Sequence, residues 1–268
     1  EHIIGAVGHI ALAISEEDNL IFTQAPEGLA FVQRDDLSNQ TYYSDEIGLS
    51  DVSIHKIAID KELKLLYIGY LMGVDVLNYS KMPLQAQPIL SSVLANMVLT
   101  DFIKVDPITH YVWITTQSDG VFVYNPISGL FVDTLGYNLP SPSVGIVTVD
   151  VNSTINKVYL GTEQGVFVLD TLTNASSWLT TNEGLPYNYT KVIKSCPEVD
   201  KIFMSTFNIA TGRCGGLSVL FLNGTIKNYN WTDNTPGIYP RVIYDIALDP
   251  IRELGYIASP YSTSAEYG

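Results

Sequence analysis

Basic residues are scarce: 14 Lys and Arg stand against 28 Asp and Glu in 268 residues, for a net charge of −14. So few cations, so scattered, cannot release many counterions from a phosphate backbone, which excludes nucleic acid as a partner. No eighteen-residue apolar stretch occurs, so nothing in this stretch spans a bilayer as a helix. No run of ten or more residues carries apolar positions at helical spacing. The four histidines (His2, His9, His55, His110) lack metal-ligand spacing, and no haem-attachment motif, P-loop or nucleophile elbow is present. Neither a cofactor nor a metal is therefore expected, and catalysis has no visible acid–base or nucleophile pair to rest on. Acidic clusters at Glu16–Asp18, Asp35–Asp36 and Asp45–Glu46 lack the alternating register of a calcium loop and read as solvated turns. Gly212-Arg-Cys-Gly-Gly216 is glycine-rich but opens no helix, so it reads as a loop.

What the chain has is a repeat. A Gly followed by alternating apolar residues recurs as Gly28-Leu-Ala-Phe-Val, Gly73-Val-Asp-Val-Leu, Gly120-Val-Phe-Val-Tyr, Gly165-Val-Phe-Val-Leu and Gly216-Leu-Ser-Val-Leu, at spacings of 45, 47, 45 and 51. Gly268 stands where a sixth run would begin. Ahead of each Gly lies an apolar run ending in a turn residue: Ser15, Asp60, Asp106, Asp150, Cys196 and Asp249. Between the two sits a third run, such as Leu66-Tyr-Ile68 or Val112-Trp-Ile114, and a weaker fourth follows the Gly. Short runs with period two, rich in Val, Ile, Tyr and Phe, are strands. Four short strands per fixed period predict an all-β chain, a β-propeller of four-stranded antiparallel blades. A sandwich would not keep the same Gly at the same phase. The copies cover approximately 8–50, 51–97, 98–143, 144–189, 190–240 and a partial 241–268, read as one domain and as part of a longer chain.

An Asp-bearing turn, then Tyr or Trp with Ile or Leu, then Gly-Thr, then Gly-Val resembles the repeat of two-component-regulator-type propellers. Val149-Asp150, Val158-Tyr-Leu-Gly-Thr162 and Gly165-Val166 match it best. Gly48-Leu-Ser50 and Gly184-Leu-Pro186 resemble that family's lead-in. Copies one, five and six lack the Gly-Thr step. The resemblance implies a fold; its members include sensor ectodomains, binding platforms, surface modules and some enzymes, so it assigns no chemistry.

Seven Asn lie in N-x-[ST] sequons: Asn39, Asn78, Asn152, Asn174, Asn188, Asn223 and Asn230, where chance placement of 16 Asn gives about two or three. The excess predicts an extracellular or cell-surface glycoprotein with glycans on its loops. In that compartment Cys196 and Cys214 are a candidate disulfide, although a six-residue strand between them separates their ends by about 20 Å. A bridge requires the loop from Asn208 to Gly215 to fold back.

Reading the innermost strand of each copy back from its turn residue places Lys56, Lys104, Lys194 and Asp245 on one strand face. This is the candidate ligand face, suited to an anionic or glycan ligand. The leading functional expectation is a non-enzymatic structural or interaction module of an extracellular assembly, with other extracellular proteins or copies of itself as partners. A ligand-sensing ectodomain of a signalling receptor is the second reading. A propeller enzyme acting on glycans or lactones is the third.

Overall fold

A computed structural model describes residues 11–91, 100–116, 119–132, 139–211, 213–229, 243–249, 252 and 254–258. Gly268, His2, His9 and Asn230 lie outside them. The strands fall into two compact units, Glu1–Val132 and Asp133–Gly268. The first unit holds three sheets. They comprise β1 (Leu12–Ser15), β2 (Leu20–Ala25), β3 (Gly28–Gln33) and β4 (Gln40–Tyr43); β5 (Lys56–Asp60), β6 (Leu65–Tyr70), β7 (Gly73–Asn78) and β8 (Ala86–Ser91); and β9 (Thr100–Val105), β10 (Val112–Thr116), β11 (Gly120–Asn125) and β12 (Leu130–Phe131). The second unit holds β13 (Ile146–Asn152), β14 (Lys157–Thr162), β15 (Gly165–Asp170) and β16 (Ser176–Leu179); β17 (Tyr189–Cys196), β18 (Lys201–Asn208), β19 (Arg213–Phe221) and β20 (Ile226–Tyr229); and the pair β21 (Asp245–Asp249) and β22 (Leu254–Ala258).

Within every sheet each strand pairs antiparallel with the next in sequence. These are propeller blades, and the chain is all-β. The marker glycines now have a cause. Gly28 and Gly165 open their third strands at φ of 132° and 133°, where L side chains are strained. A Cβ at either would also lie 2.4 Å from a fourth-strand carbonyl oxygen, that of Tyr43 or Leu179.

The first strands of successive blades touch: β1 with β5 and β5 with β9 in one unit, β13 with β17 and β17 with β21 in the other. They are therefore the inner strands. Between blades the apolar faces close on one another. Phe22, Leu29, Leu66, Ile68 and Leu77 are buried in one layer, Val74, Ile103, Val112 and Ile114 in the next. In the second unit Ile193, Ile202 and Met204 play the same part. Each such side chain contributes about 1.5–3 kcal/mol by leaving water.

The lead-in to the second blade is pinned from below. Asp75 is fully buried, and its carboxylate accepts the Ser50 N–H at 2.7 Å, the Ser50 hydroxyl at 2.6 Å and the Tyr70 hydroxyl at 2.9 Å. Three donors offset the cost of a charge in the core.

Candidate functional site

The inner strands are set by the turn that follows them. In all six copies four residues lie between the turn residue and the residue it meets across the hairpin, and the fourth is left-handed at Asn19, Lys64, His110, Asn156 and Asp200, with φ between 53° and 61°. The turn residue's side chain holds the reversal. Asp60 accepts the Leu63 N–H at 3.0 Å, Asp106 the Ile108 N–H at 2.9 Å and Asp249 the Arg252 N–H at 3.0 Å. In the fourth copy that residue is Asn152, which pairs with Lys157 and accepts the Thr154 hydroxyl at 2.6 Å. The expected turn residue there, Asp150, lies two positions earlier, inside β13.

This correction changes the candidate face. Each residue two before the turn pairs across to an aromatic on the second strand: Ala13 with Phe22, Ala58 with Tyr67, Lys104 with Trp113, Asp150 with Tyr159, Lys194 with Phe203. Asp150 thus occupies the position of Lys104 and Lys194. It is buried, and one of its oxygens accepts the Ser195 N–H of the neighbouring inner strand at 2.5 Å. Burial, with the Asp150 charge added, pushes the Tyr159 phenol up to about 12.

In the first unit Lys56 and Lys104 are half-buried on β5 and β9. The Lys56 ammonium lies 4.3 Å from the centre of the Phe102 ring on the adjacent inner strand, a cation–π contact. In the second unit Lys194 and Asp245 approach at 3.7 Å, with 32% and 63% of their side chains exposed. An exposed pair at that distance contributes at most about 1 kcal/mol, so both groups stay open to a ligand. The structure therefore brings Lys194, Asp245 and Asp150 together on neighbouring strands of one unit, and Lys56 and Lys104 on neighbouring strands of the other.

Several other titratable groups work as stitching. Asp18 binds the Lys64 ammonium at 2.8 Å and the Tyr79 hydroxyl at 3.0 Å, and the Lys64 bond holds its carboxyl below the usual range. One blade on, His110 Nδ1 lies 2.8 Å from Asp60 Oδ2, the same link from a left-handed turn residue back to the preceding blade. Asp36 and Glu46 bond Ser38 and Ser44 within their own turns, which draws both carboxyls down.

The sequons separate by burial. Asn39, Asn174 and Asn223 are exposed, and Asn78 and Asn188 half-buried, whereas Asn152 is only 1% exposed. Its sequon follows from the turn chemistry: an Asn at the turn residue with a Thr two further on. The expected disulfide does not form; Cys196 and Cys214 are both free. Cys196 pairs with Lys201 and Cys214 with Phe207, so they stand at opposite ends of β18. The loop does not fold back because β18 and β19 continue as a longer hairpin.

No protein-family model matches the sequence, and no curated protein does. Solved structures match the fold. One is the extracellular domain of a one-component system from B. thetaiotaomicron, with TM-score 0.59 and 15% identity over 82% of this chain and 28% of that one. Another is the extracellular domain of a hybrid two-component system from the same organism, with TM-score 0.55 and 15% identity over 93% of this chain and 38% of the other. A further structure of such a hybrid-system domain gives TM-score 0.59 and 17% identity over 93% and 38%. The fold is that of these extracellular propellers, and the chain spans 28% to 38% of their length. Among the described residues no helix is long and apolar enough to cross a membrane.

Proposed function

We propose that the chain is the ligand-recognising part of an extracellular sensing domain, non-enzymatic, with the charged inner-strand face of its second unit as the recognition surface. The observation that carries this reading is the placement of Lys194 and Asp245 within 3.7 Å of each other on neighbouring inner strands, with 32% and 63% of their side chains exposed. An apolar or alanine side chain at Lys194 would build the blade junction at lower cost, since its half-buried charge loses hydration. Lys194 suits a carboxylate or sulfate, and the adjoining Asp245 carboxylate suits sugar hydroxyls, so the ligand class is an anionic glycan. Likeness to extracellular domains of one- and two-component systems favours sensing over a structural module. The test is a thermal-shift screen of the chain against neutral and uronate-bearing oligosaccharides. Stabilisation by the uronate-bearing members, lost when Lys194 is replaced by Met, is the expected result; equal stabilisation of the variant would refute the assignment.

A further inference from the structure

We propose that Asn78 is a glycosylation site whose first sugar docks against its own blade, in a groove floored by Leu65 and Val76 and edged by Gln85 and Gln87. The groove measures about 300 Å³ and lies over the three outer strands of the second blade. Lys81 and Pro83, from the connection between β7 and β8, complete its lining. That volume is at the lower end of the range for sites that hold a small molecule, roughly 300–1,000 Å³.

The register of the sheet assembles the groove. Leu65 pairs with Asn78 across β6 and β7, and Val76 with Gln87 across β7 and β8. Residues two apart on a strand share a face, so Val76 and Asn78 present the same side of β7, and Gln85 stands two before Gln87. Two chemistries meet there. Leu65 and Val76 are half-buried against the apolar cluster shared with the third blade, and the part left uncovered is an apolar floor. Gln85 and Gln87 are exposed amides, each able to donate and to accept. A pyranose ring has the matching character, with C–H groups on its faces and hydroxyls round its edge.

Asn78 joins this groove to the chain's own chemistry. It opens the sequon Asn78-Tyr-Ser80. Its Oδ1 accepts the Ser80 N–H at 3.0 Å and the Ser80 hydroxyl at 2.8 Å, which turns the amide nitrogen, the atom that carries a glycan, away from the turn. The middle residue is held as well: the Tyr79 N–H donates to the Lys64 carbonyl at 3.1 Å and its hydroxyl to Asp18 at 3.0 Å. Asn223 offers the contrast. Its Oδ1 accepts the Thr225 N–H at 3.0 Å in the same kind of turn, but it stands exposed between β19 and β20. A sugar on Asn223 extends into water, whereas one on Asn78 begins against the groove wall. In the transfer, Asn78 Nδ2 bonds C1 of a sugar carried on a polyprenyl phosphate. The C1–O bond breaks, the carrier leaves as the phosphate anion with the electron pair, and the nitrogen gives up one proton.

The test uses the full chain secreted from a glycosylating host. Glycopeptide mapping should find sugar on Asn78, abolished by Ser80→Ala. Release by a peptide N-glycosidase is then followed site by site, on the native chain and on the double variant Gln85→Ala with Gln87→Ala. A sugar docked about nine-tenths of the time exposes its linkage about one-tenth as often, so the wild-type Asn78 glycan should leave about tenfold more slowly than the variant's, with release at Asn223 the same in both. Hydrogen exchange gives a readout independent of the enzyme. Amides of β8 should exchange about threefold or more slowly in the glycosylated chain than in the same chain made without glycan in a bacterial host. Should the double variant unfold, exchange in the wild-type chain decides. An unoccupied Asn78, equal release from the two folded chains, or β8 exchange that the glycan leaves unchanged would each overturn the proposal.

Discussion

At the scale of single residues, the same side-chain types serve different ends according to what lies around them. Asn152 and Asn174 share a sequon pattern, yet one holds a buried turn and the other faces solvent. Glycopeptide analysis of natively sourced protein should find glycan on Asn39, Asn174 and Asn223 and none on Asn152. Replacing Asn152 by Ala should instead cost about 1–2 kcal/mol through the lost turn bond. Asp75 is a costly polar residue to remove. Asp75→Ala removes the shared acceptor of the Ser50 and Tyr70 donors and should destabilise the first unit by about 3 kcal/mol or more, read as faster hydrogen exchange in β6 and β7. Tyrosine ionisation gives a pH dependence. Tyr159 and Tyr79 are pushed up to about 12, chiefly by burial. An unfolded tyrosine ionises near 10, so between about pH 10 and 12 the unfolded state holds fewer protons than the native one and stability falls as pH rises. Tyr159→Phe and Tyr79→Phe should each flatten the decline of the urea midpoint over that range.

At the scale of elements, the blade is legible because its constraints are local. The Gly marks a position where a fourth-strand carbonyl comes too close for a side chain, and the turn residue marks a reversal that its own side chain holds. Gly165→Ala should cost about 3 kcal/mol from clash and positive φ together, whereas Gly129→Ala, with nothing near its Cβ, should cost about 1 kcal/mol, compared by thermal melts. The strand assignments follow directly from the apolar alternation. What alternation cannot supply is register. A shift of two residues keeps every side chain on its face, so Val149-Asp150 and Val151-Asn152 satisfy the pattern equally. Only the constant four-residue turn separates them, and it exposes Asp150 as a member of the charged face. The lengthened hairpin of the fifth blade was hidden for a related reason: its added residues, Thr206 to Cys214, lack the alternation that marks the other strands, and their pairing holds Cys214 away from Cys196.

At the scale of the whole molecule, repetition explains most apolar positions and leaves function to the departures from it. Alanine stands two before the turn in the first, second and last copies, and charged residues in the other three. That asymmetry is the chain's clearest sign of selection for something other than packing. Lys194→Ala and Asp245→Ala should each change the melting temperature by no more than a few degrees without ligand, because their mutual contact is weak. The central claim, that these inner strands recognise an anionic glycan, is tested most directly by isothermal titration of the chain with the best uronate-bearing oligosaccharide from the screen. The account predicts saturable binding that Lys194→Met weakens at least about tenfold, a loss of about 1.4 kcal/mol. Undiminished binding in the folded variant, or equal binding of the neutral analogue, would contradict it.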